Sequence, residues 1–235
     1  MELLFRDDAY ARSCTATVVA AGPAGVRLDR TVFYATGGGQ PGDAGRLVRA
    51  DGTPVPIAGA VYDRETGDVL HLAAEGTALP APGETVTAEL DWARRLRHMR
   101  IHTALHLLCA VVPGGVTGGQ IGDGRGRLDF DLPDQPLDKE AIMAELARMV
   151  AADAAVRSRW ITDADLAAQP DLVRTMRVKP PSGGGRVRLI EIDGIDLQPC
   201  GGTHVARTGE IGALAVGKIE NKGRHNRRIN IALAE

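Results

Sequence analysis

Apolar and polar positions alternate over short stretches of the first 90 residues, and turn-forming residues separate these stretches. Alternation with a period of two is typical of half-buried β-strands, and Val and Thr are frequent within it. One of the turns is Asp51-Gly52, a dipeptide that strongly favours a β-hairpin. The predicted strands cover residues 13–20, 25–29, 46–50, 53–62, 69–73 and 84–90. Six short strands at this spacing indicate a small barrel or sandwich.

The pattern changes to a helical period at Asp91. No Gly or Pro occurs from Trp92 to Val112, and apolar residues recur at helical spacing. Asp91 is a favourable N-cap residue, and the Pro-Gly-Gly run that follows Val112 stops a helix. The sequence therefore predicts one long helix over residues 92–112.

Beyond this helix, helical and strand patterns are mixed. We expect a Gly-rich loop around 118–127, strands at 128–132, 156–161, 186–192, 213–219 and 229–234, helices at 138–155 and 164–168, and a flexible loop at 180–185. The predicted fold class is α+β: a small N-terminal β-barrel domain over residues 1–90, then an α+β domain over 91–235 whose helices pack on an antiparallel sheet.

Charge divides the chain at the same place. Lys and Arg number 28 and Asp and Glu 30, so the net charge is −2, and aromatic residues make up only 3%. These totals argue against a strongly basic nucleic-acid binder and against a base-stacking platform with several exposed rings. However, residues 1–91 carry 7 basic and 13 acidic residues (net −6), whereas 92–235 carry 21 and 17 (net +4). Opposite charge suggests that the two parts have different partners.

The cysteines and the hydropathy pattern indicate the compartment. Cys14, Cys109 and Cys200 are too few and too scattered for a disulfide framework. The sequence shows no signal peptide and no apolar run as long as the roughly 18 residues of a membrane span. We therefore expect a reducing cytoplasmic location, no membrane attachment and no obligate protein partner.

Two short motifs carry the candidate chemistry. His102 and His106 are four residues apart on the long helix, so both imidazoles lie on one helix face. Cys200 and His204 are also four apart, around a Gly-Gly turn. Taken singly, the paired histidines are more often an incidental surface pair and the cysteine an inert thiol. Together, in a chain with six His and three Cys, they indicate a four-ligand Zn²⁺ site.

The histidine motif is not that of a zinc protease. A protease helix carries a Glu directly after its first His, as the general base, and here that residue is Thr103. The sequence therefore disfavours zinc-dependent peptide hydrolysis.

A second candidate site is the glycine run from Gly37 to Gly39, which Gln40 follows. Three residues without side chains let a bulky partner approach the backbone closely. Gln40 adds one amide with a donor and an acceptor. The alternative is a flexible hairpin tip. A phosphate-binding P-loop is excluded because no Gly-Lys-Ser/Thr sequence follows.

Two basic clusters flank the candidate metal ligands in the sequence. Such clusters are usually solvated faces, but beside a metal site they suggest phosphate contacts. The first cluster is Arg94, Arg95, Arg97 and Arg100; the second is Lys218, Lys222, Arg224, Arg227 and Arg228.

These motifs resemble a known family. The His-x-x-x-His helix, the Cys-Gly-Gly-Thr-His turn at 200–204 and the basic stretch near the C-terminus are similar to those of the alanyl-tRNA editing proteins, free-standing relatives of the editing domain of alanyl-tRNA synthetase. The segment that runs from Phe33-Tyr34 through the glycines to Asp43 looks like the N-terminal barrel of the medium-length members. No adenylation motif of a synthetase is present, which favours an editor that acts in trans.

The resemblance implies a zinc-dependent hydrolase that removes a wrong amino acid, chiefly serine, with glycine as a second candidate, from tRNA(Ala). It assigns roles to named residues but implies no general base. The metal ligands are His102, His106, Cys200 and His204. The substrate contacts are Thr31, which meets the serine hydroxyl, with Gly37, Gly38, Gly39, Gln40 and Gln120. The tRNA contacts are Lys218, Lys222, Arg227 and Arg228.

Four protein ligands describe a closed zinc site, whereas a catalytic site keeps one open position. Either one ligand is loose, or the metal expands to five ligands, or zinc only positions the substrate. Two other functions therefore remain open: a non-catalytic tRNA-binding module with a structural zinc, and a metal hydrolase of a small ester or amide.

Overall fold

A computed structural model describes residues 1–132, 137–176 and 185–234. The chain divides into two compact units, Met1–Leu96 and Arg97–Glu235. The predicted domain boundary, between residues 90 and 91, lies a few residues before this division. Among the described residues, no helix has the length and apolar character needed to cross a membrane.

The first unit contains a closed barrel of six antiparallel strands, as the α+β prediction requires. Two short strands, β1 (Glu2–Leu3) and β4 (Arg30–Thr31), form a separate parallel pair. The barrel strands, in spatial order, are β2 (Ser13–Gly22), β3 (Gly25–Leu28), β7 (Val69–Ala73), β6 (Pro54–Tyr62), β5 (Gly45–Arg49) and β8 (Thr85–Leu90). All six predicted strands are present, and closure distinguishes the barrel from a sandwich.

Alternation along these strands explains the barrel. In β2 and β6 every second side chain over part of the strand is buried, and the buried set forms one continuous apolar core. Val18, Val26, Leu47 and Val69 in this core are at most 1% exposed. Closing the sheet buries one face completely and leaves no free strand edge.

The long helix is α1 (Trp92–Val111), and its bounds match the prediction within one residue. Its central turns, from Ile101 to Cys109, are buried on all sides. A helix in such a position can carry polar side chains only where each finds a partner. This requirement makes His102, Thr103 and His106 informative.

In its described part, the second unit contains two antiparallel sheets and two further α-helices, which confirms the predicted α+β class. The four-stranded sheet, in spatial order, consists of β14 (Leu214–Asn221), β15 (Asn226–Leu233), β10 (Arg125–Asp131) and β9 (Gly115–Gly122). The three-stranded sheet consists of β11 (Val156–Thr162), β12 (Arg186–Ile192) and β13 (Asp196–Pro199). The helices are α2 (Lys139–Ala151) and α3 (Asp163–Ala167).

Two local expectations were wrong. The expected loop at 118–127 is instead part of the hairpin of β9 and β10. The turn of this hairpin contains Asp123 and Gly124, and Gly124 has a left-handed φ of 64°. Glycine-rich strands are missed by hydropathy patterns because glycines contribute no alternation of apolar and polar side chains. Helix α2 ends at Ala151, not at residue 155, because Asp153 takes a positive φ of 47°. The expected loop at 180–185 lies mostly outside the described residues.

Candidate metal centre

Four side chains converge in the second unit. His102 and His106 come from α1, and Cys200 and His204 come from the turn after β13. Their ligand atoms all lie within 4.8 Å of one another. The structure thus brings the two sequence motifs to one centre, although they are nearly a hundred residues apart in the chain. Their role as metal ligands stays a prediction.

The distances around Cys200 suit a tetrahedral metal. Its Sγ atom lies 3.4 Å from Nε2 of His102 and 3.3 Å from Nε2 of His204. A tetrahedral Zn²⁺ with usual bond lengths holds sulfur and nitrogen about 3.6 Å apart. One thiolate and three imidazoles are also a donor set that zinc favours. The residues present therefore fit a zinc ion.

His204 is oriented by Thr103, the residue directly after His102. The Thr103 hydroxyl donates to the carbonyl oxygen of Met99 at 2.9 Å, so it can only accept from Nδ1 of His204 at 3.3 Å. Nδ1 of His204 therefore carries the proton, and Nε2 faces Cys200 with its lone pair. Thr103, which stands where zinc proteases have their general base, thus fixes the tautomer of a candidate ligand.

His106 is oriented by a buried carboxylate. Its Nδ1 lies 2.8 Å from Oδ2 of Asp196 in β13, and Gln198 donates to the same oxygen from Nε2 at 2.8 Å. A carboxylate behind a ligating imidazole raises the basicity of the ligand and holds its ring. Asp196 is 6% exposed, so its negative charge requires cationic partners.

Arg188 in β12 holds the turn between Cys200 and His204. It is 8% exposed, and its Nη1 donates to the carbonyl oxygens of Cys200 at 3.1 Å and Gly202 at 2.9 Å. These two bonds fix the backbone that presents Cys200. Because Arg188 stands on a strand and not in the turn, the turn is tied to a rigid element.

The pKa values of the group indicate which side chains must lose a proton before a cation binds. Burial raises the pKa of the Cys200 thiol, but the neighbouring His102 and His204 outweigh burial and lower it well below its usual value. Burial lowers the pKa of His204 well below its usual value. Burial also lowers that of His106, but hydrogen bonds to Asp196 and Cys200 raise it to about 9. The lowered values favour the Cys200 thiolate and the neutral His204 imidazole, which are the forms that bind a metal ion, whereas the raised value of His106 means that this ring must release a proton when a metal ion binds.

Within residues 1–132, 137–176 and 185–234, the candidate centre is accessible at Cys200 and Gly201. The three histidines are buried, whereas Cys200 is half-buried and Gly201 is exposed. A Cβ atom built on Gly201 would meet nothing within 4 Å, so space lies beside this residue. Among the described residues, the cluster is therefore most accessible along the Cys200–Gly201 side.

The first unit contains Thr31 and the glycine run. Thr31 is fully buried, and its Oγ1 lies 2.8 Å from Nε2 of His71 and accepts from the Phe33 amide at 3.0 Å. Two backbone hydrogen bonds between Gly37 and Gln40 close a defined turn, with φ values of 54° and 82° at the two glycines between them. Gln40 is buried, and the substrate roles of these residues stay predictions.

Gln120 lies on the four-stranded sheet, in a groove of about 520 Å³. Its Oε1 accepts from Nε of Arg127 at 3.3 Å. Small residues of β9, β10, β14 and β15 line the groove, together with Arg125, Arg127 and Asn230. The predicted contact between Gln120 and substrate stays a prediction.

The four predicted tRNA contacts differ in their surroundings. Arg228 forms a bidentate ion pair with Asp129 at 2.7 and 2.9 Å, and Lys222 lies 2.7 Å from Glu220. Lys218 is exposed, and Arg227 donates to the carbonyl oxygens of Gly223 and Asn226. Lys218 therefore offers more positive charge to a phosphate than Lys222 and Arg228 do.

The prediction of a phosphate contact is wrong for Arg95. Its side chain is fully buried in the first unit and forms an ion pair with Asp43. Its Nη1 and Nη2 also donate to the carbonyl oxygens of Ala9 at 3.0 Å and Val32 at 2.7 Å. A helix start with many arginines did not reveal which of them points inward.

The sequence did not identify the residues that orient the candidate ligands through hydrogen bonds. Thr103, Arg188, Asp196 and Gln198 carry no motif, since their function depends on contacts between distant parts of the chain. Thr103 gave the one available signal, because it occupies the position where a protease has its Glu.

Comparisons with known proteins agree with the geometry. Residues 187–230 match the family described as "Threonyl and Alanyl tRNA synthetase second additional domain". The chain is 35% identical to the alanyl-tRNA editing protein AlaX-M of Methanosarcina acetivorans, in an alignment that covers the whole chain and 99% of the relative. It is 32% identical to the AlaX-M of Saccharolobus solfataricus, in an alignment that covers 97% of each protein. It is 36% identical over 92% of its length to 24% of the alanine–tRNA ligase of Korarchaeum cryptofilum. The chain therefore belongs to the family of alanyl-tRNA editing proteins.

Proposed function

We propose that this chain is a trans-acting hydrolase that cleaves the ester between tRNA(Ala) and a wrong amino acid, chiefly serine, with glycine as a second substrate. His102, His106, Cys200 and His204 hold a zinc ion in this proposal. The observation that carries it is the convergence of these four ligand atoms within 4.8 Å in a chain of this family.

Zinc held there would supply a Lewis acid and an anchor for the amino group of the substrate. The protein's own residues orient the site. Asp196 and Thr103 fix the tautomers of His106 and His204, and Arg188 fixes the backbone of Cys200. The exposed Gly201 leaves room for the acylated end of the tRNA.

Selectivity for serine follows from hydrogen bonding. A synthetase pocket built for a small side chain rejects an added hydroxyl by only roughly 10²-fold. A site that binds this hydroxyl leaves buried polar groups unpaired with alanine, so it rejects alanine by about 10⁴-fold. We assign this contact to Thr31, whose Oγ1 keeps one lone pair beyond its bonds to His71 and Phe33.

The proposal extends to the contacts with the rest of the tRNA. The turn from Gly37 to Gln40 and the side chain of Gln120 would meet the acylated end. Lys218, Lys222, Arg227 and Arg228 would meet phosphates, which favours tRNA over a small ester as the substrate.

One assay tests the function. Ser-, Gly- and Ala-tRNA(Ala) are incubated with the protein, with and without a chelator, and the remaining ester is measured. We expect hydrolysis of the serine and glycine esters, little hydrolysis of the alanine ester, and loss of turnover in Cys200→Ser. Cys14→Ser, which changes a half-buried cysteine of the barrel, is the matched control.

A second candidate function is a tRNA-binding module with a structural zinc, which the count of four protein ligands favours. This module would bind tRNA(Ala), hydrolyse none of the three esters and unfold on chelation. Turnover of a model ester without tRNA, unaffected when Arg227 and Arg228 are neutralised, would instead indicate a small-molecule hydrolase.

A further inference from the structure

The edge of the three-stranded sheet carries a tryptophan that no part of the metal centre uses. Trp160 lies in β11, the edge strand, and is half-buried. The guanidinium of Arg186, at the start of β12, lies over its ring, with 4.5 Å between Cζ and the ring centroid. Arg186 is exposed, and among the described residues no carboxylate lies within ion-pair distance of it. The Trp160 ring thus holds a guanidinium at the surface, with its charge available.

The register of the sheet connects this pair to the metal centre. Trp160 is the cross-strand partner of Arg188, and the Cys200 amide donates to the carbonyl oxygen of Arg188 at 3.0 Å. Trp160, Arg188 and Cys200 therefore form one row across neighbouring chain segments. Two steps of about 4.8 Å place the Cα atom of Trp160 about 10 Å from that of Cys200.

The row also fixes the face of the sheet. Directly opposite residues of an antiparallel pair point to the same side, so Trp160 and Arg188 share a face. The side chain of Arg188 reaches the carbonyl oxygens of Cys200 and Gly202 on that face. Arg186, two residues before Arg188 in the same strand, points to the same side. The Trp160–Arg186 pair therefore lies on the side of the sheet that carries the Cys200 turn.

We propose that the Trp160–Arg186 pair is a stacking platform for an unpaired nucleotide at the 3′ end of the acylated RNA. The base stacks on the exposed plane of the Arg186 guanidinium, which the Trp160 ring supports from below, and the charge of Arg186 attracts the adjacent phosphate. Unpaired bases commonly stack on aromatic rings and on arginine planes. This inference rests on the proposed function and names the part of its substrate that this surface receives.

The chain offers a matched control for the pair. In the first unit, Arg12 lies over the ring of Trp92, with 4.4 Å between Cζ and the centroid, and Trp92 is half-buried as well. If Trp–Arg stacking only stabilises the fold, equivalent changes at the two pairs will have equivalent effects. If the platform binds RNA, only changes at Trp160 and Arg186 will weaken substrate binding.

Steady-state hydrolysis of Ser-tRNA(Ala) by the full chain tests the platform. We expect Arg186→Lys and Trp160→Leu each to raise KM about 5- to 150-fold with kcat within about twofold, because a stacked base contributes about 1–3 kcal/mol. Arg12→Lys and Trp92→Leu should leave both constants unchanged. The inference is overturned if Arg186→Lys has wild-type constants while Arg186→Gln is impaired, because positive charge alone then suffices. It is also overturned if equivalent substitutions at the two Trp–Arg pairs change KM equally.

A binding measurement separates this inference from the proposed function and does not depend on one variant folding. The probe is an RNA hairpin without an attached amino acid, whose last, unpaired 3′ nucleotide is 2-aminopurine. The fluorescence of 2-aminopurine reports stacking of that base. We expect wild type and the milder variant Trp160→Phe to quench the probe, and Arg186→Lys to quench it less. Equal quenching by wild type and Arg186→Lys overturns the platform even if the protein hydrolyses Ser-tRNA(Ala). Quenching that depends on Arg186 supports it even if no ester is cleaved.

Discussion

The barrel and the second unit both bury histidine, but they use the ring nitrogens in opposite ways. In the barrel, Nδ1 of His71 donates to the carbonyl oxygen of Val26 at 2.9 Å, so Nε2 accepts from the Thr31 hydroxyl at 2.8 Å. Both nitrogens are thus satisfied inside the unit. In the second unit, Nδ1 of His106 and of His204 bond to Asp196 and Thr103, and their other nitrogens face a common centre with Cys200.

The pKa values follow this difference. Burial lowers the pKa of His71 to about 4, so His71 is a neutral part of the core. Burial also acts on His106, yet Asp196 and Cys200 raise its pKa to about 9. Burial alone therefore does not distinguish a structural histidine from a candidate metal ligand. The distinguishing feature is where the second nitrogen points.

Ion pairs also differ between the two units: the first contains a buried pair and the second an exposed one. We expect the buried pair to have the largest effect on the free energy of unfolding. Arg95 and Asp43 are both buried in the first unit, so Arg95→Met leaves a carboxylate without its partner. We expect the free energy of unfolding to fall by about 3–5 kcal/mol in urea titrations. Arg97→Met, which breaks an exposed pair with Asp123, should cost less than about 1 kcal/mol. Similar losses in both variants would mean that Arg95 is not an internal structural charge.

Acid should destabilise the barrel through His71. Its pKa is about 4 in the folded state and about 6.5 in the unfolded chain, so the unfolded chain takes up the proton first. This contribution is complete above pH 6.5, falls as the pH drops from 6.5 to 4, and totals about 3 kcal/mol.

Urea unfolding at several pH values, followed by Trp92 fluorescence in a Trp160→Phe background, measures this loss. His71→Gln keeps a donor and an acceptor but does not titrate near pH 5. We expect the pH dependence between 4 and 6.5 to be shallower in His71→Gln. An unchanged dependence would remove His71 as its source.

Asp196→Asn tests whether the hydrogen bond from His106 to Asp196 orients the ring for metal binding in the second unit. The carboxylate that holds His106 would become an amide, which is neutral and holds the ring less firmly. Zinc affinity, measured by competition with a chelator, should fall about 10- to 100-fold. Asp153→Asn, which changes an exposed partner of Arg207, should leave the affinity unchanged.

The smallest expected effects concern the basic residues near the C-terminus. Lys218→Ala and Arg227→Ala should each lower the slope of log K against log salt for tRNA binding by roughly 0.7–0.9. Arg228→Ala should lower it less, because Asp129 already balances the charge of Arg228. Equal slopes for all three variants would show that the ion pair with Asp129 opens when tRNA binds.

The sequence was informative where side chains alternate. The strand at residues 186–192 was predicted with the bounds that β12 has, and the six barrel strands were found because one face of each is buried. The hairpin of β9 and β10 was missed because glycines carry no alternation, although Asp123-Gly124 repeats the turn signal of Asp51-Gly52.

The candidate metal centre was predictable only in part. His102, His106, Cys200 and His204 formed recognisable spacings, so their convergence was an expectation before the fold was known. Asp196 was not predicted because a single aspartate in a short strand has no pattern, and its function arises from its contact with α1. For the same reason the sequence could not separate the buried Arg95 from its half-buried neighbours.

The most direct test is the zinc content of the purified full chain and of two cysteine variants, measured by native mass spectrometry and by chelator competition. We expect one zinc ion per chain in wild type and in Cys14→Ser, and a more than about 100-fold weaker affinity in Cys200→Ser, beyond the effect of an orienting residue. Absence of zinc from the wild-type chain, or equal affinity in Cys200→Ser, would contradict the claim that these four side chains form a metal centre.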